Sequence, residues 1–326
     1  MKALALLSGG LDSTLAVKLV QEQGLDVVAV NFSSPFCLCA KGGCGAVRAA
    51  EQLRIPLKVI SVGEEYLRMV RTPKHGYGRN MNPCIDCRIF MIRKAKEYAA
   101  EIGASFLFTG EVLDERPMSQ HKAALDTIEK ETDLIGRILR PLSAELLPET
   151  EAERKGWISR EKLLGIRGRS RKIQIQLARD FGFEDYANPA GGCLLTYKEF
   201  AAKIRDLFHH RKRVRVKDVN LLKIGRHFRR GMNKIVVGRD EAENERLNTM
   251  RNKMDYSFEV PDCGSPLTLL QGPKTRKAIS VAAGLTLRYS DNQANQALVA
   301  FGRERRDQSI LASRLTELEI SKLRIT

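Results

Sequence analysis

Short apolar runs alternate with helical repeats through the first third of the chain. The run 3–7 is short enough for a fully buried strand, and apolar residues then recur at helical spacing from Leu15 to Val20. Because strands that alternate with helices require right-handed crossovers, this order predicts a parallel sheet. The further predicted strands are 26–32, 57–62 and 106–108, and the further predicted helices are 46–53, 64–71 and a long amphipathic helix after Cys87.

The pattern changes in the second half. We expect residues 117 to 181 to be mostly helical, with one short apolar segment at 138–142, and a helix over 198–208 to end in a basic run. Beyond it, segments 234–237, 257–260 and 267–270 are broken by Gly, Pro and Asp, which is typical of strands. We therefore predict two domains, 1–210 and 211–326. The first is α/β with a Rossmann-like parallel sheet, and the second is a smaller α+β domain.

Length and charge narrow the class of protein. A chain of 326 residues is long enough for two domains, each with its own core. No apolar run approaches the roughly 20 residues that span a bilayer, and the first residues do not resemble a signal peptide, so we expect a cytoplasmic protein with no membrane partner. The net charge of +16 favours a nucleic-acid partner. A charged surface on a heat-adapted protein is the alternative, but it does not explain why the cations cluster.

Residues 8–13, SGGLDS, form the first candidate site. A strand, a turn with paired glycines and a helix N-terminus make an anion cradle of backbone N–H groups, which Gly9 and Gly10 let a ligand approach closely. Ser8 and Ser13 add hydroxyl groups, and Asp12 is suited to hold Mg²⁺ beside phosphates. A glycine turn with Asp as a helix cap is the simpler alternative. Ligands of parallel sheets bind beyond the carboxyl ends of the strands, so the cofactor site also includes Asn31, Thr109 and Gly110.

SGGLDS resembles the PP-loop of the ATP pyrophosphatase superfamily. The resemblance implies an adenine nucleotide alpha hydrolase-like fold and cleavage of ATP to AMP and pyrophosphate.

Three cysteines form the second candidate site. Cys84 and Cys87 make a C-x-x-C at a predicted helix start, where the helix end is expected to lower the thiol pKa, and Cys193 follows two glycines. Three thiols can hold three irons of a 4Fe–4S cluster, or two can work by persulfide and disulfide chemistry. The alternatives are buried structural cysteines and zinc, with His75 or Asp86 as the fourth ligand.

SGGLDS, NPCIDC, TGE and a late GGC occur in the order seen in tRNA 2-thiouridylases, which residues 1–208 resemble. The resemblance implies that ATP adenylates a uridine carbonyl oxygen of tRNA and that sulfur, from sulfide or a persulfide carrier, then displaces AMP. The catalytic residues would be Asp12, Cys84, Cys87 and Cys193, with the three cysteines as ligands of the cluster. The chain departs from that family in having Cys37, Cys39 and Cys44, and in lacking its central and C-terminal β-domains.

Residues 211–239 are dense in cations, with His227 and Phe228 between them, as in a surface that follows a phosphate backbone. Segments 235–244 and 262–266 resemble the RNA-binding domain of NFACT proteins, which implies RNA contact. The alternative is a charged dimerisation domain, which would make the protein a homodimer. The cations are Arg211, Lys212, Arg213, Arg215, Lys217, Lys223, Arg226, Arg229, Arg230, Lys234 and Arg239.

Further polar residues follow the predicted strand end at Thr109 or open a later helix. They could position Mg²⁺ or the base, or neutralise phosphates, and a solvated surface role is the alternative. They are Glu111, Asp114, Arg116, Gln120, Arg169, Arg171 and Lys172.

The leading hypothesis is an ATP-dependent tRNA-uridine sulfurtransferase. The alternatives are an RNA-binding or ribosome-associated factor whose PP-loop senses nucleotide, and a PP-loop ligase that acts on a small molecule.

Overall fold

The structure is a computed structural model that describes residues 1–38, 45–183 and 193–326. These residues divide into two compact units, Met1–Thr196 and Tyr197–Thr326. The helix over 198–210, which the sequence analysis gives to the first domain, therefore belongs to the second unit. The domain bounds 1–210 and 211–326 stay a prediction.

The first unit is an α/β unit whose described strands form one parallel sheet in the order β3-β2-β1-β4-β5. Its strands are β1 (Lys2–Leu6), β2 (Asp26–Ser33), β3 (Leu57–Ser61), β4 (Phe106–Thr109) and β5 (Ile138–Leu139). Its helices are α1 (Leu11–Gln21), α2 (Gly45–Leu53), α3 (Glu64–Arg71), α4 (Cys84–Glu101), α5 (Lys122–Thr132), α6 (Glu151–Arg154) and α7 (Lys172–Asp180).

The central strand β1 shows why this sheet is covered on both faces. Its side chains alternate, so Ala3 and Ala5 pack with α1 and α2, whereas Leu4 and Leu6 pack with α4. The strand order reverses at β1, because the chain runs outward through β2 and β3 and then returns to β4 on the other side. The carboxyl ends of β1 and β4 therefore form the switch point where such sheets bind ligands. The predicted Rossmann-like fold class is confirmed.

The predicted helix start at the C-x-x-C is confirmed. The long helix begins at Cys84 rather than after Cys87, so both cysteines lie in its first turn. The prediction that 117–181 is mostly helical was wrong, because the described elements between α5 and α7 are β5, α6 and two short 3₁₀ helices, Ala144–Leu146 and Arg160–Lys162. Glycines and prolines recur through 136–168, and these residues interrupt helices, which accounts for the difference.

The second unit is α+β, as predicted. Its described strands form an antiparallel sheet in the order β11-β10-β8-β9-β7-β6, and α11 packs on one face through small residues such as Ala278 and Ala282. The strands are β6 (Arg226–Arg230), β7 (Asn233–Val237), β8 (Tyr256–Glu259), β9 (Thr268–Gln271), β10 (Gln296–Gly302) and β11 (Gln308–Ser313). The helices are α8 (Lys198–His210), α9 (Val216–Leu221), α10 (Glu241–Met250), α11 (Arg276–Arg288) and α12 (Glu317–Leu323). Across the described residues of both units, no helix is long and apolar enough to cross a membrane.

Candidate functional site

Residues 8–13 form a tight turn between β1 and α1. The hydroxyls of Ser8 and Ser13 lie 3.0 Å apart, and the Ser13 hydroxyl donates to the Gly10 carbonyl at 2.8 Å. Gly10 is the N-cap residue of α1, so no side chain caps this helix end. Because the first N–H groups of a helix have no partner inside the helix, the turn presents the donors and positive helix end that an anion requires.

Two glycines allow other segments to reach this turn. Gly9 has a φ of +78°, and a Cβ added there would lie 2.1 Å from the carbonyl carbon of Gly45 at the start of α2. A Cβ on Gly110, after β4, would lie 2.4 Å from the Cα of Ser13. The loop after β4 is therefore packed directly on the PP-loop, as the positions of the two strand ends predict.

Asp12 is buried at the mouth of this turn. Its Oδ2 accepts from Nη2 of Arg171 at 3.4 Å, and its buried Oδ1 has no hydrogen-bond partner. Burial raises the pKa of Asp12, against the opposing charges of Arg171 and Arg116. Glu115 lies nearby, 3.8 Å from Nε of Arg171, and both burial and the Asp12 charge raise its pKa. Two carboxylates that repel each other, one with an orphaned oxygen, are a donor set that fits Mg²⁺.

Glu111 has a structural role. Only 1% exposed, it accepts from the Thr109 hydroxyl at 3.1 Å and from Nε of Arg140 at 3.1 Å, and Nε of Arg88 lies 3.3 Å away. Burial raises the pKa of this carboxyl, but Arg88 and Arg140 outweigh it and the net pKa is lowered. Arg88 lies in α4, Thr109 ends β4 and Arg140 directly follows β5. The contacts of Glu111 with these three residues therefore hold the three elements together.

Other predicted site residues also hold the backbone. The Asn31 amide donates to the Leu7 carbonyl at 2.8 Å, which fixes the end of β1. Gln120 accepts from the Arg116 backbone N–H at 3.0 Å, and Asp114 accepts from Arg167 at 2.7 Å. Arg169 and Lys172 are exposed, whereas Arg171 turns inward to Asp12.

The C-x-x-C thiols lie in a desolvated setting. The hydroxyl of Tyr66, from α3, donates to Sγ of Cys87 at 3.0 Å. Burial raises the pKa of both Cys84 and Cys87, the Tyr66 hydrogen bond partly offsets this at Cys87, and Arg88 opposes it at both. The prediction that the helix end lowers these pKa values is therefore wrong, because desolvation dominates.

Cys193 belongs to the same group of thiols. Burial, together with the charges of Cys87, Cys84 and Cys37, raises the pKa of Cys193 to about 12. Cys37 also lies opposite Cys193 in an isolated antiparallel bridge. Gly191 and Gly192, before Cys193, and Cys39 and Cys44 lie outside the described residues.

The zinc alternative loses one proposed ligand. Asp86 uses one oxygen to accept from the Lys74 N–H at 2.9 Å and the other to accept from the His75 N–H at 3.0 Å. Within the described ranges, no group of three or more His, Cys, Asp or Glu side chains is arranged to hold one metal ion. The ligands of a 4Fe–4S cluster do not have to surround a single ion, because each thiolate binds a different iron. Three neighbouring thiols are therefore suitable ligands for such a cluster.

Arg116 acts electrostatically on both subsites. Its charge partly opposes the rise that burial causes in the pKa of Asp12 in the PP-loop and of Cys84 in the C-x-x-C. Pattern reasoning named Arg116 but missed Glu115 and Tyr66. Glu115 directly precedes Arg116 and could have been found from that position. Tyr66 lies on the buried side of α3, and no sequence pattern indicates its contact with Cys87.

The basic segment of the second unit is partly buried. Arg211 donates to Asp218 at 2.7 Å, Arg229 pairs with Asp206, and Arg239 pairs with Glu243. The exposed cations among those predicted to face RNA are Lys212, Arg213, Arg215, Lys217, Arg230 and Arg239.

The aromatic part of that prediction was wrong. Phe228 is fully buried and His227 is 2% exposed, and Nε2 of His227 lies 2.7 Å from the Ile224 carbonyl oxygen. Burial also lowers the pKa of Lys234 to about 7. These three side chains are part of the core of the second unit.

The first unit thus combines a turn suited to bind an anion with a group of thiols, and two family models match the chain. Residues 1–145 match the model of the thiamine biosynthesis protein ThiI, and residues 225–324 match that of the NFACT protein RNA binding domain. Both resemblances drawn from the motifs are confirmed. The tRNA-specific 2-thiouridylase MnmA of Dichelobacter nodosus (strain VCS1703A) is 30% identical over 130 residues, which cover 36% of this chain and 35% of that protein. The chain spans about a third of the length of the curated relatives it matches.

Two solved structures are similar at lower identity. One is a 4-thiouridine synthetase in complex with RNA and ATP, at 21% identity and a TM-score of 0.38, covering 68% of this chain and 52% of that one. The other is the U34-tRNA thiolase NcsA of Methanococcus maripaludis with its [4Fe-4S] cluster, at 18% identity and a TM-score of 0.36, covering 64% and 65%.

Proposed function

We propose that the protein is an ATP-dependent tRNA-uridine sulfurtransferase. The observation that carries this proposal is the loop after β4, where Gly110 packs on the backbone of Ser13 and Glu111 lies 3.3 Å from Nε of Arg88, the residue after Cys87. A reaction that adenylates a substrate oxygen and then replaces that oxygen with sulfur needs the PP-loop and the thiols near the same substrate atom. A protein that only senses nucleotide has no use for the thiols.

In the ATP half of the reaction, the turn 8–13 binds the pyrophosphate end of ATP through its N–H groups. Asp12 and Glu115 are the residues that would hold Mg²⁺, which would supply charge stabilisation at the phosphates, and Arg171 and Arg116 neutralise phosphate charge. The uridine carbonyl oxygen attacks the α-phosphorus, the bond to the β-phosphate breaks, and pyrophosphate leaves. The carbonyl oxygen becomes a good leaving group because it now carries AMP.

In the sulfur half, sulfide attacks the adenylated carbon and AMP leaves with the oxygen. Cys84, Cys87 and Cys193 would hold three irons of a 4Fe–4S cluster, and the cluster when bound supplies an open iron for the incoming sulfide. Without a cluster, one of these cysteines would take the outer sulfur of a persulfide carrier and its persulfide would attack the adenylated carbon, from which AMP leaves. A second cysteine would then attack the first cysteine's sulfur, so that the S–S bond to the substrate sulfur breaks, a disulfide forms and the thiouridine is released. The Tyr66 hydroxyl fixes the position of Cys87 in either case.

The second unit is proposed to hold the RNA. Its exposed cations on and around α9 are the proposed contacts for phosphates, namely Lys212, Arg213, Arg215 and Lys217. The match to the NFACT RNA-binding model over 225–324 supports this assignment.

The test uses full-length protein purified without oxygen, an unmodified tRNA transcript, Mg-ATP and sulfide. We expect one thiouridine in the tRNA by nucleoside mass spectrometry, with one AMP and one pyrophosphate released for each. Asp12→Ala should abolish AMP formation, whereas Cys193→Ser should abolish thiouridine and leave the chain folded. AMP without thiouridine under every sulfur donor would remove the sulfur-transfer proposal. Iron and acid-labile sulfide content distinguishes the cluster from a persulfide.

The match of residues 1–145 to the model of a thiamine biosynthesis protein favours a second acceptor class. In that case sulfur would pass to a small molecule or a carrier protein. AMP formation that is fast without RNA and unchanged by tRNA would support this candidate over the first.

RNA binding has its own test. Arg213→Gln should weaken tRNA affinity and reduce the slope of log K against log salt by roughly 0.7 to 0.9, since one phosphate contact is lost. Phe228→Leu, the control, should lower stability but leave the slope unchanged because its ring is buried. An unchanged slope in a double variant of Lys212 and Arg213 would refute this RNA surface.

A further inference from the structure

Cys37 lies opposite Cys193 in an isolated antiparallel bridge. The neighbouring hydrogen bond runs from the Leu194 N–H to the Phe36 carbonyl at 2.9 Å. It joins the residue before Cys37 to the residue after Cys193, which is the pattern of a non-hydrogen-bonded pair. The Cα atoms of such pairs are about 4.5 Å apart and their side chains approach closely. This separation falls in the range of roughly 4.4 to 6.8 Å that disulfides span.

Both sides of this bridge are held in place. Phe36 is fully buried, and its ring centroid lies 6.1 Å from that of Tyr66. After Cys193, the Leu195 carbonyl accepts from the Met81 N–H at 3.2 Å, and Thr196 donates to the Cys193 carbonyl through its N–H at 3.0 Å. The register of the pair is therefore fixed by contacts outside it, which hold the two backbones at a spacing that suits a disulfide.

We propose that Cys37 and Cys193 form a redox-modification site, a thiol pair that a peroxide converts to a disulfide. Both are thiols and partly exposed, which a small oxidant requires. One thiol loses its proton and the thiolate attacks a peroxide oxygen. The O–O bond breaks, and the departing hydroxide takes up that proton, giving a sulfenic acid and water. The second thiol then attacks that sulfur, the S–O bond breaks, a second water leaves, and the S–S bond forms. Two thiols are oxidised and one hydrogen peroxide is reduced.

Formation of this disulfide would affect the proposed sulfur transfer, although the disulfide proposal does not depend on that function. While Cys193 is bonded to Cys37, it cannot serve with Cys84 and Cys87. A dithiol reverses the bond by exchange and returns both thiols. The site would thus make sulfur insertion dependent on the redox state of its surroundings.

Disulfide mapping tests the proposal. Full-length protein is treated with limiting hydrogen peroxide, remaining thiols are alkylated, and a tryptic digest is analysed by mass spectrometry with and without dithiothreitol. Cys193 falls in the peptide 180–198 and Cys37 in 19–41, which also contains Cys39, while Cys44 falls in a separate peptide. The Cys39→Ser variant therefore isolates Cys37.

We expect peptide 19–41 joined to peptide 180–198 in wild type and in Cys39→Ser, and its loss in Cys37→Ser. Cys263→Ser, in the second unit, is the matched control and should leave the linkage unchanged. A linkage of Cys193 to Cys84, Cys87, Cys39 or Cys44 instead would overturn the proposal, as would alkylation of Cys37 in samples where Cys193 is oxidised. None of these outcomes depends on tRNA thiolation, so failure here leaves that proposal standing.

Discussion

The backbone of Gly110 packs against that of Ser13, so closely that a Cβ on Gly110 would lie 2.4 Å from the Ser13 Cα. The contact joins the loop after β4 to the first turn of α1. It thereby sets the spacing between the proposed phosphate cradle and the loop that carries Glu115 and Arg116. A backbone-to-backbone approach of this kind cannot be relieved by rotating a side chain.

Gly110→Ala should therefore displace one of the two segments. We expect a cost of about 1 to 3 kcal/mol in stability from overpacking, and a larger loss of ATP cleavage to AMP. Ser105→Ala, at the exposed position before the same strand, is the control and should change neither. Normal AMP formation by Gly110→Ala would mean that the contact does not set the geometry of the site.

Asp12→Asn should lower activity without lowering stability. Burial raises the pKa of Asp12 above its ordinary value of 3.8, so the ionised side chain destabilises the folded state at neutral pH. That cost is absent below the unfolded pKa and grows as the pH rises through the raised folded value. The amide removes it, and we expect an unchanged or higher melting temperature together with a loss of AMP formation on the order of 10²-fold. A clear fall in melting temperature near pH 7 would contradict this.

Arg140→Met should destabilise the first unit by about 3 to 5 kcal/mol, because it leaves the buried Glu111 without a main partner. Arg140 is 3% exposed and also contacts Glu129 at 2.5 Å. The single tryptophan, Trp157, lies in this unit, so its fluorescence in a urea titration reports the change. Arg137→Met, which loses a more exposed pair with Glu151, is the control and should cost less than about 1 kcal/mol.

Lys234→Met should change how stability depends on pH. The folded pKa of Lys234 is about 7, below its ordinary value of 10.5, so the unfolded chain binds more protons between these values. Stability of the second unit should rise as the pH increases from 7 towards 10. Calorimetry of Lys234→Met should show a higher transition at pH 7 and a smaller rise above it. A variant with the same pH dependence as wild type would refute the burial of this cation.

The local motifs could be predicted from the order of residues alone. The turn 8–13 lies between a strand and a helix, and the alternation of short apolar runs with helical repeats predicted the parallel sheet, because both patterns depend on residues a few positions apart. Irregular segments such as 133–171 were harder, since scattered Gly and Pro indicate breaks but not the path between them.

Residue order alone determined the two classes of chemistry in this protein, an anion cradle and a set of thiols, because motif spacing fixes which groups share a turn. Only the tertiary structure decided their state and their neighbours. Burial by segments distant in sequence raises the pKa of Cys84. Packing in the second unit buries Phe228, and the pairing of distant backbone segments brings Cys37 opposite Cys193. Dielectric environment and register are properties of the assembled core, which no short stretch of sequence contains.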